Sequence, residues 1–310
     1  MQNFQFLNAL LLIIYLKGSL AGSCSSKEDD IVVDVASSSN TPSNRLINGS
    51  VIQINKELGK VQVIEYIASG THADVYKALL LTGRNEVALK VITLRDDGTR
   101  EREIEKAKKE VKMLYEFANK YANRIIQIYG DNLKTYKQNQ IFIVLELGEK
   151  NLLDYYNQII LQREIASGIS LTTEEKGNIL NEILIEAAEA LKQFHQYGIH
   201  FDIKPGNFVV SNENEQIKLV DLGTSFWGTQ IYIKGPASVG TNLYTAPELK
   251  NASHGTLVTK KADIYSFGVM MYKLKYSPRE LIGNFDRSHL DKNNRLDNII
   301  QVVKIFFAVK

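Results

Sequence analysis

The residues best equipped for chemistry lie in one short run, His200-Phe201-Asp202-Ile203-Lys204-Pro205-Gly206-Asn207. It holds a carboxylate, an ammonium and a primary amide within a few positions of one another. Downstream come Asp221-Leu222-Gly223, Ala246-Pro247-Glu248 and Asp263-Ile264-Tyr265-Ser266-Phe267-Gly268; upstream lie Val87-Ala88-Leu89-Lys90 and Glu110. Amide and carboxylate oxygens, as on Asn207 and Asp221, are hard donors suited to Mg²⁺. The ammonium groups of Lys90 and Lys204 suit an anionic substrate. Blander readings exist: Lys90 and Glu110 as an exposed ion pair, Asp202 as a turn residue. Against them, Lys90 ends an apolar strand, and Asp202 keeps the company of Lys204 and Asn207.

These residues need a scaffold, and the pattern of the chain supplies one. Val61 to Ala68 and Glu86 to Ile92 read as strands, as do Ile125 to Tyr129 and Ile141 to Glu146. Asp96 to Ala118 reads as a charged helix with Ile104, Val111 and Leu114 on one stripe, which places Glu110 on a helix following the Lys90 strand. Thr172-x-x-Glu175 is a capping box opening a long helix to about His195, with Ile179, Ile183, Ala187 and Leu191 at helical spacing. Phe208 to Val210 and Ile217 to Val220 flank Asn212-Glu213-Asn214-Glu215 as a hairpin. Strands first and helices later is the order of an α+β protein with two lobes.

The ordered set of runs resembles the protein kinases over roughly residues 59 to 310. Each run alone is weak; six in order, each on a fitting element, are specific. The resemblance implies a two-lobed kinase fold, with an N-lobe over 59–146 and a mainly helical C-lobe over 149–310. It implies Mg-ATP as the phosphoryl donor and a protein substrate. Phosphoryl transfer is mostly positioning and charge neutralisation. By resemblance, Asp202 orients the substrate hydroxyl and accepts its proton, and Lys204 neutralises the moving phosphate. Asn207 and Asp221 hold Mg²⁺, while Lys90, fixed by Glu110, holds the α- and β-phosphates. Ile67, Val75 and Ala88 roof the adenine, Gly70 sits in the phosphate loop, and the backbone from Glu146 to Gly148 meets the adenine edge. Asp202-x-Lys204-x-x-Asn207 is the serine/threonine form of the catalytic loop. The run ending in Phe208, Val239-Gly240-Thr241-Asn242-Leu243-Tyr244, and the hinge Val144-Leu145-Glu146-Leu147-Gly148 are similar to the monopolar-spindle checkpoint kinases.

The chain departs from the family pattern in three places. In the loop Ile67-Ala68-Ser69-Gly70-Thr71-His72-Ala73-Asp74-Val75, only the central glycine remains; Ala68 and Ala73 restrict the backbone where Gly would not. Phe201 replaces the arginine whose guanidinium pairs with a phosphate on the activation segment. Within Asp221–Glu248, which holds Thr229, Ser238 and Thr241, Lys234 is the weaker substitute partner. The C-lobe reads as short: Leu296 to Val309 forms one last helix, and no arginine follows Arg295 to pair with Glu248. The main reading is an active serine/threonine kinase. The alternative is a pseudokinase, a nucleotide- or protein-binding scaffold, favoured by Ala68, Ala73 and the short C-lobe. A small-molecule kinase is disfavoured by the peptide platform around Ala246-Pro247-Glu248.

Composition narrows the rest. The chain has 310 residues, 44% hydrophobic and 23% charged, as in globular proteins. Lys+Arg 37 against Asp+Glu 35 gives no basic excess, so no nucleic-acid partner is expected. The single Cys24 excludes an internal disulfide framework. Ala9 to Leu16 is an apolar run too short to span a bilayer, so no stable membrane span is expected. Followed by Ala21-Gly22-Ser23, it reads as a signal peptide over 1–23, although no Lys or Arg precedes it. Residues 24–58 read as a flexible polar linker. The segment predicts the secretory route, with a cytoplasmic chain as the alternative. Asn48-Gly49-Ser50 and Asn251-Ala252-Ser253 match glycosylation sequons.

Overall fold

The computed structural model describes residues 45–276 except 71–72, 97, 137–138, 213 and 235–242. The signal-like segment, Cys24, His72, Ser238, Thr241 and the expected helix Leu296–Val309 lie outside the described residues. The described residues from Asn48 onward belong to one compact unit. No described helix is long and apolar enough to cross a membrane.

The N-lobe is a sheet of β1 (Val51–Asn55), β2 (Gly59–Ser69), β3 (Asp74–Leu80), β4 (Asn85–Thr93), β5 (Ile128–Asp131) and β6 (Gln140–Glu146). Their order is β1-β2-β3-β4-β6-β5. In β4, Val87, Ala88, Leu89, Val91 and Ile92 are all buried, the strand pairing with β3 on one edge and β6 on the other, and α1 (Arg100–Asn119) packs against β5 of the same sheet. The expected helix start at Asp96 moves to Arg100. Glu110 is buried on the apolar face of α1, beside Ala107, Val111 and Leu114.

Strand β1 corrects the expected domain start at residue 59. Val51 pairs with Gln62 and Ile52 with Val61, so the linker assignment fails from residue 51. The turn into β2 is built by Asn55, whose Oδ1 accepts from the backbone N–H of Glu57 (3.0 Å) and Leu58 (2.7 Å). The strand expected at Ile125–Tyr129 also shifts, to 128–131. Ile125 instead bridges Leu219, and the Ile126 N–H donates to the Leu219 carbonyl at 3.0 Å.

The chain enters the C-lobe through β7 (Gly148–Asn151) and α2 (Leu152–Ser167), then α3 (Thr173–Phe194). The capping box at the head of α3 is present in both directions between Thr172 and Glu175. All four expected core positions of α3 are buried: Ile179, Ile183, Ala187 and Leu191. Beyond it come β8 (Gly198–Ile199), the hairpin β9 (Phe208–Ser211) and β10 (Ile217–Leu219), then β11 (Phe226–Trp227) and β12 (Gln230–Tyr232). A short α4 (Pro247–Lys250), β13 (Leu257–Thr259) and α5 (Lys261–Tyr276) follow. Strand β8 pairs with β11 and β12 with β13, which fastens the segment after Asp221 at two points.

Candidate active site

Lys90 lies on β4 and reaches two carboxylates, Glu110 Oε1 at 2.6 Å and Asp221 Oδ1 at 2.8 Å. Burial works against its charge, but Asp221 and Glu110 outweigh that and hold its pKa above the ordinary lysine value. Lys90 in turn pulls the Asp221 carboxyl below the usual range. Burial pushes Glu110 the other way, upward, with Lys90 opposing. Lys90 thus joins Glu110 of α1, the expected partner, to Asp221, a contact that the sequence reading did not anticipate.

The catalytic-loop residues converge as well. Lys204 Nζ donates to Asp202 Oδ2 at 2.6 Å, and Asn207 Nδ2 donates to the same oxygen at 3.0 Å and to the Asp202 carbonyl at 2.7 Å. With its NH₂ committed, Asn207 has its side-chain amide oxygen Oδ1 to offer a cation. The Val220 N–H donates to the Asn207 carbonyl at 2.9 Å, which sets Asp221 beside this loop. Asp221 takes a left-handed backbone, φ +60°. One amide oxygen and one carboxylate suit Mg²⁺, which uses few protein ligands and completes its shell with water and substrate phosphate. The donor set therefore fits the ion.

Asp263, at the head of α5, holds the loop from below. Its carboxylate is fully buried and accepts from the His200 N–H (2.7 Å), the Phe201 N–H (2.8 Å) and the His195 ring (3.0 Å). Phe201 has φ +69°, a strained conformation for a bulky residue. Its ring is buried with Ile199, Ala246, Leu249, Val258 and Ala262, and Phe226, Ile231 and Ile233 pack on that cluster. Beside it, the Trp227 ring stacks on Tyr197 at 5.4 Å and meets Phe117 of α1 edge-on at 5.2 Å. The phosphate-binding arginine of the family is here replaced by apolar packing.

At the expected adenine end, Val75 pairs with Lys90 and Lys77 with Ala88, so Val75 lies on β3, a strand the sequence reading did not assign, and Ala88 on β4. Ala68 is an ordinary extended residue of β2, paired with Val75. Its methyl therefore imposes no left-handed strain. The Gly70 N–H donates to the Ala73 carbonyl at 2.7 Å, and the half-exposed Ile67 precedes the turn. Within the hinge, one backbone donor is occupied. The Glu146 N–H is already spent on the Gln127 carbonyl at 2.8 Å, leaving only its carbonyl for a ligand. Gly148 is required sterically: a Cβ there meets Val209 at 2.5 Å and 2.6 Å. Sequence reasoning named Asp263 but not its anchoring role, and missed Val209 and the buried partners of Glu146, namely Ser211 and Lys218.

Residues 61–308 match the family described as protein kinase domain. The serine/threonine-protein kinase dst1 of Dictyostelium discoideum is 31% identical over 211 residues, covering 66% of this chain and 24% of that protein. The serine/threonine-protein kinase PrkC of Bacillus subtilis is 29% identical over 226 residues, covering 70% and 30% respectively. The chain thus matches under a third of either relative's length. The solved structure of vaccinia related kinase 3 superposes with a TM-score of 0.50 at 15% identity, covering 85% of this chain and 76% of that one.

Proposed function

We propose that this chain, which belongs to the protein kinase family, transfers the γ-phosphate of Mg-ATP to a serine or threonine hydroxyl of a protein. The carrying observation is the joint placement of Asp202, Lys204 and Asn207 with the Lys90–Glu110–Asp221 cluster. Bound Mg-ATP supplies the electrophilic phosphorus and the metal's charge. Asp202, whose side chain keeps 10% exposure, orients the substrate hydroxyl and takes its proton. Lys204, already on Asp202, stands ready to stabilise negative charge as the phosphoryl group moves. Lys90 exchanges part of its contact with Asp221 for phosphate oxygens and keeps Glu110. Of the features that favour the scaffold reading, Ala68 of β2 pairs with Val75 without a left-handed backbone, which is compatible with an active loop. The finer likeness to the monopolar-spindle group rests on the motif runs alone.

A radiolabelled-ATP assay on the full chain, with generic serine/threonine substrates and Asp202→Asn as control, tests this reading. Incorporation on Ser or Thr, lost in the variant, supports it. Mg-ATP binding without incorporation moves the chain to the scaffold reading. We further propose entry into the secretory route, on the strength of residues 1–23 alone. A mature N-terminus near Cys24 by mass spectrometry supports that, and one at Met1 or Gln2 refutes it.

A further inference from the structure

Glu146 does more than lend a carbonyl to the hinge. Its side chain is 2% exposed and points into the protein. Lys218 Nζ lies 2.7 Å from both carboxylate oxygens. The Ser211 hydroxyl donates to Oε1 at 2.5 Å, and the Gln127 N–H donates to Oε2 at 3.2 Å. Lys218 and Ser211 are themselves buried, at 5% and 1% exposed. None of these side chains belongs to the Asp202 and Lys90 clusters.

A buried ion pair is a poor source of net stability, because desolvating both charges offsets most of their attraction. What such a pair supplies here is geometry, since bonds to both carboxylate oxygens fix direction as well as distance. Lys218 is the central residue of β10, and Ser211 ends β9. The same hairpin carries Asn207 immediately before β9 and Asp221 two residues after β10. Backbone bonds keep it stiff: Val220 to Asn207 at 2.9 Å, and Leu219 to Arg124 at 2.9 Å. The hinge, which meets one end of a nucleotide, is therefore tied to the element that bears the metal ligands for the other end.

We propose that Lys218, with Ser211, is a positioning residue that fixes the spacing between the adenine edge and the phosphate–metal end of the cleft. This rests on the nucleotide-binding reading above. A ligand that spans the cleft depends on that spacing, and one that occupies only the hinge does not. Lys218→Met should therefore weaken Mg-ATP binding about tenfold while adenosine affinity changes less than about twofold, both read by calorimetry. In kinetics, KM for ATP should rise while KM for the protein substrate stays put. Lys218→Arg, which can still pair with Glu146, should recover most of the loss, and Ser211→Ala should give a smaller loss in the same direction.

Equal weakening of adenosine and Mg-ATP, or a lower Tm with unchanged affinities, reduces Lys218 to a structural role and overturns the proposal. Should Lys218→Met fail to fold, the Ser211→Ala ratio of ATP to adenosine affinity decides instead. If the wild-type chain binds no Mg-ATP, the functional reading falls and takes this one with it. Wild-type binding with unshifted variants overturns the positioning role alone.

Discussion

Phe201→Ala is the substitution that most directly tests how the activation segment is held. The ring is 8% exposed and packs on residues from β8, α4, β13 and α5, with Phe226, Ile231 and Ile233 of the activation segment against the same cluster. Truncating a buried Phe costs about 3–5 kcal/mol through lost transfer energy and the cavity left behind. The backbone is retained separately, because the Phe201 N–H stays bonded to Asp263 at 2.8 Å. The loss therefore falls on the contact between catalytic loop and activation segment. At about 3 kcal/mol, the ratio of docked to undocked segment falls roughly 150-fold. The expected result is a lower urea midpoint together with a large fall in kcat. Phe201→Leu keeps an apolar filler and should cost under about 1.5 kcal/mol. Phe201→Arg places a guanidinium among Ile199, Leu249 and Val258, and should be worse than Ala unless a phosphate is installed on the segment. Wild-type kcat and midpoint in Phe201→Ala would refute the reasoning. So would a large activation of the wild-type chain on phosphorylation at Thr229, because an apolar anchor leaves a phosphate only the weaker partner Lys234.

Asp202→Asn should lower turnover by about 10²–10⁴-fold, the usual worth of a positioned general base, while leaving the thermal shift on adding Mg-ATP intact. Loss of that shift would mean Asp202 acts in binding instead. Gly148→Ala pushes a methyl into Val209 and should raise KM for ATP, with overpacking of about 1–3 kcal/mol. Adding Val209→Ala should bring KM back, and a Gly148→Ala enzyme with normal KM would show that the hinge yields freely. Lys90 holds the Asp221 carboxyl below its ordinary value, so the stabilising pair is present above the unfolded carboxylate pKa and lost as pH falls through the lowered one. The urea-midpoint difference between wild type and Asp221→Asn should thus stay flat from pH 8 to about pH 5 and shrink below about pH 4. A difference that shrinks between pH 7 and 5 would contradict the assignment.

The parts that were legible in the sequence share a cause: their signals are local. The capping box Thr172–Glu175 and the apolar spacing of α3 can be read within one window. The runs around Lys90, Asp202 and Asp221 each sit on a short element whose residue types constrain one another. Helix α2 was illegible because Leu153, Ile159, Ile160, Leu161 and Ile165 face several directions, and Leu161 and Ile165 remain exposed. Its readable marks were the caps, Asn151 at the start and Gly168 with φ +69° at the end. Strand β1 was hidden by the Ser-rich stretch before it, although Val51, Ile52 and Ile54 fit a strand. The bonds of Glu146 to Ser211 and Lys218 join positions 65 and 72 residues apart, a relation no periodicity encodes. Phe201 could be recognised as a missing arginine, but not as the centre of an apolar cluster drawn from several elements.

Asp263 and the Phe201 ring act on the same dipeptide by opposite chemistries, and the combination explains how a strained loop persists. A bulky residue at φ +69° costs on the order of 1–3 kcal/mol and survives only where its surroundings over-determine it. Asp263 fixes the backbone through two N–H donors, and the His195 ring adds a third partner to its buried carboxylate. The apolar cluster fixes the side chain. Between them the loop turns so that Asp202, the next residue, leaves the core and faces Lys204 and Asn207. A phosphate-dependent arginine makes that outer clamp conditional on a modification; a phenyl ring makes it conditional only on folding. Among the described residues, the clamp that turns Asp202 toward Lys204 and Asn207 is thus built without a phosphate.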